Sequence, residues 1–351
     1  MSAQRNSDSV PAASSSSWQS ARLLVTDEFA APPVILRVGD SVIGTLGNFS
    51  ASTGKAKSKK TFNVCAIVAA AMTGGTVLNY SASLPPRKRR ILYVDTEQSR
   101  FHCKRVLCRI LRLAGLPTDV HPPLLEFLCL RGYATKERLR KIEEAIYDLD
   151  DLGLVVIDGI RDLAHDINSP GEATDLITKL MQWTDERRIH IHTVLHLNKG
   201  DDNTRGHLGT ELNNKAETVL QITKDDFDRD ISSVAAMHIR DRDFEPFAFR
   251  INDDALPEPV EDYQPRPTSA ARSFDYAEVC EAKHREALEL LFSETDRVSY
   301  SSLIGRLQCS YAAIGHSFGI NKAKQLKVFL ENKRMIVKED KFYRYNPDFH
   351  Y

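Results

Sequence analysis

The stretch Gly54-Lys55-Ala56-Lys57-Ser58-Lys59-Lys60-Thr61 limits what this chain can fold into more than any other. It keeps the spacing of a phosphate-binding loop, G-x-x-x-x-G-K-[ST]. Gly54 opens it, Lys60-Thr61 close it, and Lys59 stands at the second glycine position. Such a loop works between a buried strand and a helix N-terminus, where successive backbone N–H groups form a nest for phosphate oxygens. The flanks fit. Ile43, Phe49 and the small residues Ser50, Ala51 and Ser52 precede the loop. Phe62 to Met72 follows as an apolar, alanine-rich run that stops at Thr73-Gly74-Gly75, the pattern of a buried helix with a glycine stop. In that context Lys60 would reach the β- and γ-phosphates of a nucleotide, and Thr61 would offer its hydroxyl to Mg²⁺. The nest comprises Gly54, Lys55, Ala56, Lys57, Ser58, Lys59, Lys60, Thr61 and Phe62. The four lysines also suit a solvated surface loop, and a side chain at 59 sits where close backbone approach asks for glycine.

The rest of the chain decides between these readings. From about 35 to 253, short runs rich in β-branched residues alternate with helical patterns. The strand-like runs are Ile91 to Val94, Leu154 to Ile157, His192 to Leu197 and Thr218 to Ile222; the helical ones are Phe101 to Ala114, Glu137 to Leu149 and Ala173 to Arg188. This alternation predicts an α/β fold with a mostly parallel sheet covered by helices on both faces. Met237 to Ile239 and Phe247 to Ile251 read as an antiparallel pair at its edge.

Polar residues at the strand ends are the candidates for chemistry, because open α/β sheets bind ligands at the carboxyl ends of their strands. Asp95-Thr96-Glu97 follows the first run, and Glu97 could orient and deprotonate an attacking water; capping the next helix is its other reading. Leu154-Val155-Val156-Ile157-Asp158 is the Walker B pattern, with Asp158 holding Mg²⁺. His196 ends the next strand, where it could touch a γ-phosphate, or simply be a satisfied histidine beside a turn. The glycine-punctuated stretch from Gly200 to Gly209 carries Arg205, a candidate for DNA phosphates or for a neighbouring subunit's nucleotide; Lys224 and Arg229 compete for that role.

Composition adds bounds. With 351 residues and a net charge of −1, the chain has room for a large and a small domain, and any nucleic-acid affinity must be local. Its six cysteines form no CxxC pair, which points to reduced, buried thiols in a cytoplasmic protein rather than a metal site or disulfide scaffold. No run reaches membrane-spanning length, and the N-terminus does not read as a secretory signal. Residues 1–20, with Ser14 to Ser17 unbroken, read as a disordered tail. The polar stretch 255–274, punctuated by Pro257, Pro259, Pro265 and Pro267, reads as a linker.

Beyond it, Ala277 to Phe292, Tyr300 to Leu307 and Asn321 to Asn332 read as helices. Met335 to Lys338 and Lys341 to Tyr345 read as a β-hairpin around Glu339-Asp340, which suggests a winged-helix domain over 275–351. Residues 297 to 345 hold ten basic and three acidic residues, a charge suited to DNA phosphates, though also to a protein-docking module with solvated lysines.

Taken together, Asp95-Thr96-Glu97-Gln98 resembles the catalytic-glutamate segment of RecA-like recombinases. His196-Leu197-Asn198-Lys199, Thr204-Arg205-Gly206 and the strands joined by Arg240-Asp241-Arg242-Asp243 resemble the RepA-like plasmid replicative helicases. The chain also resembles AAA-type ATPases of mobile elements in Bacteroides-like bacteria, where a lysine-rich loop of this kind is familiar. The resemblance implies a RecA-like P-loop core over 21–254 that binds ATP and Mg²⁺, with Lys60, Glu97, His196 and Arg205 catalytic and Thr61 and Asp158 on the metal. It further implies a homo-oligomer such as a hexamer, with single-stranded DNA on the core and duplex DNA or a protein partner on the winged helix. Helicase-like action in replication or mobilisation of a genetic element is the leading expectation. A DNA-binding regulator or replication adaptor with a slow or inactive core is the alternative, and a small-molecule kinase a third.

Overall fold

The computed structural model describes residues 17–197, 206–225, 228, 230–261, 263, 276–277 and 279–349. The chain divides into two compact units, 1–263 and 264–351.

The first unit begins with a short 3-10 turn, Ser17–Ala21, and two strands, β1 (Val34–Val38) and β2 (Ser41–Thr45). β3 (Phe49–Gly54) leads through the lysine-rich loop into α1 (Lys60–Thr73), followed by β4 (Thr76–Val77) and β5 (Tyr80–Ala82). Four strand–helix pairs and a further strand follow: β6 (Arg90–Asp95), α2 (Arg100–Leu113), β7 (Leu125–Cys129), α3 (Thr135–Asp148), β8 (Leu152–Asp158), α4 (Pro170–Arg187), β9 (His190–His196), α5 (Gly206–Lys215) and β10 (Thr218–Lys224). β11 (Ile231–Ile239), β12 (Phe247–Ile251) and β13 (Pro257–Pro259) complete it.

Nine strands form one sheet in the order β13-β12-β11-β10-β3-β9-β8-β6-β7. The six from β10 to β7 are parallel to one another, and β11 to β13 extend the sheet antiparallel. Pro257–Pro259, expected inside a linker, therefore belongs to the sheet, at an edge that tolerates proline because its outer N–H positions need no partner. The central strands read as unbroken apolar runs because both faces are covered. Ile91, Tyr93, Leu154 and Val156 pack into one core with α1 and α2, while Leu92, Val94, Val155 and Ile157 pack into a second with α3, α4 and α5.

α1 is buried along most of its length because a second sheet, ordered β2-β1-β5-β4, belongs to the same core. This small sheet is not foreshadowed by the residue pattern. Tyr80 of β5 donates its hydroxyl to Asn63 Oδ1 of α1 at 2.9 Å. Between β3 and β9 runs a chain of polar contacts sealed from water. His190 Nδ1 lies 2.8 Å from Thr45 O, Ser50 Oγ sits 2.7 Å from His190 Nε2 and 2.8 Å from His192 Nδ1, and Ser52 Oγ is 2.8 Å from His192 Nε2. The Thr45 carbonyl can only accept, so Nδ1 of His190 donates, and each later donor is then fixed in turn. Both rings are neutral, burial holding their pKa values down to about 4 and about 3.

The second unit contains α6 (Glu281–Phe292), β14 (Val298–Ser299), α7 (Tyr300–Ala313), α8 (Ile320–Asn332), β15 (Ile336–Glu339) and β16 (Phe342–Tyr345). Its three strands pair in the order β14-β16-β15. The helices close on Leu288, Leu291, Leu303, Leu307, Leu326 and Leu330. Buried His284 spans the core, its Nδ1 2.5 Å from Tyr311 Oη and its Nε2 3.0 Å from Tyr276 O.

The cysteines are free, and only Cys65 and Cys103 are buried; Cys280 and Cys309 are exposed. The expectation of mostly buried thiols is thus corrected.

Candidate functional site

β3, β6, β8 and β9 run parallel, so their carboxyl ends meet at one edge of the sheet. Their register sets the site. Gly54 lies opposite His196, and Asp95 opposite Asp158. Gly54, Lys60, Thr61, Glu97, Asp158 and His196, separated by up to 142 positions in sequence, are thereby gathered at that edge. A cleft of about 350 Å³ opens there, lined by Ser58, Lys60, Thr61, Glu97, Asp158 and His196 among others.

The loop has the backbone that its spacing demands. A Cβ on Gly54 would collide with the Ile222 carbonyl oxygen and the Ser58 hydroxyl, so the first glycine is required by packing against β10. Lys59, in place of the second glycine, adopts the left-handed conformation that glycine would take, φ 66° and ψ 28°, and caps α1. Lys57 is left-handed too, with φ 66°. The Lys59 ammonium donates to Asp230 O at 2.5 Å, tying the loop to the β10–β11 turn. Lys59 is therefore built in by the fold, which adds a tether where most such loops have only hydrogen.

Lys60 is buried, and its ammonium donates to Gly54 O at 2.7 Å and Lys55 O at 2.9 Å. Burial lowers its pKa to about 8, against the opposing pull of Asp158 and Glu97. Thr61 Oγ1 donates to Asp158 Oδ2 at 2.8 Å, and Tyr93 Oη donates to the same oxygen at 2.9 Å. Burial, then the neighbouring Asp95 carboxylate, raise the Asp158 pKa to about 6. This is an anion whose surroundings leave it short of positive charge. Two oxygen donors so close together fit a hard divalent cation such as Mg²⁺. The buried Ser58 hydroxyl has no hydrogen-bond partner among the described residues, which fits a phosphate oxygen as its missing acceptor.

Glu97 does not cap α2, a position held by Ser99. Its Oε1 lies 3.5 Å from His196 Nε2, and that contact, with help from Lys60 and against burial, lowers its pKa. The turn carrying it is rigid. Asp95 Oδ1 accepts from Glu97 N at 3.0 Å and Gln98 N at 2.7 Å, and Thr96 Oγ1 lies 2.9 Å from Gly159 O. Gly159, at φ 108°, leaves its Cα no room for a side chain, since a Cβ would strike Thr96 Oγ1. Phe62 lines the cleft with the Arg109 guanidinium stacked 3.7 Å from its ring centroid.

Of the site residues expected from sequence, Lys60, Thr61, Glu97, Asp158 and His196 line one cleft, as do Lys57, Ser58, Lys59 and Phe62; Gly54, Lys55 and Ala56 complete the loop. Arg205 and Arg229 lie outside the described residues, and so do Asn198, Lys199 and Thr204. Gly206 to Gly209, expected in a loop, form the first turn of α5. The residue pattern did not single out Tyr93, Asp95 as a turn-former, or Arg109. Alternation along β6 places Tyr93 and Asp95 on one face, but which partner they meet is set by register with β8.

A family model described as an AAA domain matches residues 20–202, more than half of the chain. Among solved structures, the crystal structure of the RadB recombinase is similar at 16% identity and a TM-score of 0.43, over 62% of this chain and 92% of that one. No curated protein matches the chain.

Proposed function

The chain belongs to the AAA-domain family, and on that premise we propose that it binds ATP with Mg²⁺, hydrolyses it, and couples hydrolysis to work on DNA. The observation that carries this reading is the convergence of Lys60, Thr61, Glu97 and Asp158 on one cleft at the carboxyl edge of a parallel sheet.

The roles follow from the geometry. The loop N–H groups and α1 cradle the phosphates. Lys60 is held by two carbonyls of the loop itself, ready to move its charge onto phosphate oxygens. Thr61 and Asp158 would hold Mg²⁺, which when bound supplies charge neutralisation at the β- and γ-phosphates. Glu97, kept anionic by His196, orients water and takes its proton. His196 reads the same spot from the next strand. The finer reading is a RepA-like, helicase-like motor that works as an oligomer such as a hexamer, with Arg205 serving a neighbour's nucleotide. In it, residues 275–351 are a winged helix whose α8 and β15–β16 hairpin dock duplex DNA or a protein partner. The helix order and the β14-β16-β15 sheet support that assignment.

The test is ATP turnover with and without single-stranded DNA. Lys60→Ala should abolish turnover, and unchanged activity would sink the site assignment. Failure to separate a forked duplex while turnover remains DNA-stimulated would retire the helicase reading alone.

A further inference from the structure

α2 has a composition that the nucleotide site does not explain. Its 14 residues hold five basic side chains, Arg100, Lys104, Arg105, Arg109 and Arg112, and no acidic one. Arg105 and Arg109 line the nucleotide cleft. The other three do not. With 3.6 residues per turn, Arg100, Lys104, Phe101 and Arg112 share one side of the helix, a stripe roughly 18 Å long at 1.5 Å per residue. All four are exposed. Phe101 stands 69% exposed near the N-terminal end of the stripe, beside Arg100 and Lys104.

At the N-terminal end of α2 the stripe meets a cleft of about 580 Å³, where Arg100 faces Arg131 and Tyr133 from the segment after β7. No acidic residue lines it. The guanidinium groups of Arg100, Arg112 and Arg131 and the ammonium of Lys104 make no hydrogen bond or ion pair among the described residues; by contrast, Arg138 nearby donates to Leu130 O, Arg131 O and Asp162 O. Along its length the stripe also borders a cleft of about 550 Å³ that Phe101, Lys104 and Arg112 line, with Asp253 and Asp254 on its other wall; this acidic pair makes one side of the positive track.

We propose that Arg131, Arg100, Lys104 and Arg112, with Phe101 among them, form a track for single-stranded nucleic acid along the outer side of α2. The basic groups match a phosphate backbone, and Arg suits bidentate phosphate contact. The exposed aromatic favours a single strand, whose unstacked bases offer a face to stack on, over a duplex, whose bases are hidden. An acidic protein surface would use the charges but leave Phe101 unexplained. The inference rests on the reading of this chain as a DNA-acting ATPase, and it names where the strand runs.

The experiment measures binding of a fluorescent oligo-dT to the full chain by anisotropy at several salt concentrations. It compares wild type with the triple variant Arg100→Ala/Lys104→Ala/Arg131→Ala and with Phe101→Ala. ATP turnover without DNA serves as the control for folding. The expected result is at least a tenfold loss for the triple variant, with a salt dependence shallower by about 2, since each phosphate contact on a single strand contributes roughly 0.7 to the slope. Phe101→Ala should weaken binding with the slope unchanged. If the triple variant does not fold, Arg131→Ala alone should reduce the slope by about 0.7. Wild-type affinity and slope in a folded variant overturn the track while leaving the ATPase reading intact. A wild-type chain that hydrolyses ATP but binds no oligo-dT overturns the DNA reading itself, and the track with it. An acidic polypeptide that binds the wild-type chain more tightly than oligo-dT does, and loses that binding in the triple variant, points to a protein partner and also overturns it.

Discussion

Replacing Lys59 tests whether this loop is damaged or merely different. Its left-handed backbone, φ 66° and ψ 28°, costs a residue with a Cβ about 1–2 kcal/mol relative to glycine. Glycine at 59 removes that strain but restores about 0.5–1 kcal/mol of backbone freedom to the unfolded chain. It also deletes the ammonium contact to Asp230 O, which, on a half-buried lysine, contributes roughly 1 kcal/mol at most. Lys59→Gly should therefore leave stability within about 1 kcal/mol of wild type. Lys59→Ala keeps the strain and loses the tether, so it should be about 1 kcal/mol less stable than wild type and no better than Lys59→Gly. Urea denaturation of the three proteins gives the ranking. Because the nest depends on backbone geometry, Lys59→Gly should also retain ATP turnover within about threefold, roughly 0.7 kcal/mol of barrier. An alanine variant more stable than the glycine variant, or a glycine variant without turnover, would refute the argument that position 59 is held left-handed for phosphate binding.

Three further outcomes follow from the same geometry. His190 and His192 have folded pKa values of about 4 and about 3, below the unfolded value near 6.5. Their contribution is full above that value and is lost as pH falls towards the folded values, about 2 kcal/mol each between pH 7 and 5. Denaturant unfolding at the two pH values should show that wild type loses about 4 kcal/mol more than His190→Asn/His192→Asn, and equal pH slopes would contradict it. Asp158, raised to about 6, must be ionised to hold a cation, so Mg²⁺-dependent turnover should fall as pH drops through 6. Asp158→Asn should lose at least about a hundredfold in turnover, roughly 2.7 kcal/mol, and a variant as active as wild type would remove Asp158 from the metal site. Gly159→Ala combines a φ of 108° with a collision at Thr96 Oγ1, so it should destabilise by about 2–4 kcal/mol, read from a thermal melt; a change under about 0.5 kcal/mol would mean the Glu97 turn is not locked there.

Much of the first unit is legible because its chemistry is local. A loop spacing, a carboxylate two residues beyond a buried run and an aspartate at the end of another are visible in one dimension, and a parallel sheet brings strand ends together without further instruction. What escapes is what depends on register or on weak elements. β7 is an edge strand, Leu125-Glu126-Phe127-Leu128-Cys129, with a charge inside it and little β-branching. β4 and β5, two and three residues long, carry no usable period. Tyr93 reaches Asp158 only because Tyr93 pairs with Val156 and Asp95 with Asp158. Pro257–Pro259 reads as linker because proline in sequence signals a break, and only the free edge of β12 makes it a strand.

The Glu97 turn and the proposed nucleic-acid track are one piece of structure. Asp95 fixes both. Its side chain accepts from the N–H groups of Glu97 and Gln98 and, through Oδ2, from Gln98 Nε2 at 2.7 Å, while its carbonyl accepts from Leu130 N at 2.8 Å. Leu130 precedes Arg131, and Gln98 is two residues from Arg100, so the segments that carry the two arginines are both held by Asp95, one through its backbone carbonyl and the other through the carboxylate that shapes the Glu97 turn. A strand gripped by Arg100 and Arg131 would draw the start of α2 and the end of β7 towards each other, and the part between them is the turn that aims Glu97 at His196 and the phosphates. Stimulation of turnover by single-stranded DNA should therefore vanish in the triple variant while DNA-free turnover persists. It should weaken in Gln98→Ala, which loses the Asp95 Oδ2 contact without touching either arginine. If Gln98→Ala keeps full stimulation while binding oligo-dT normally, the coupling does not pass through Asp95.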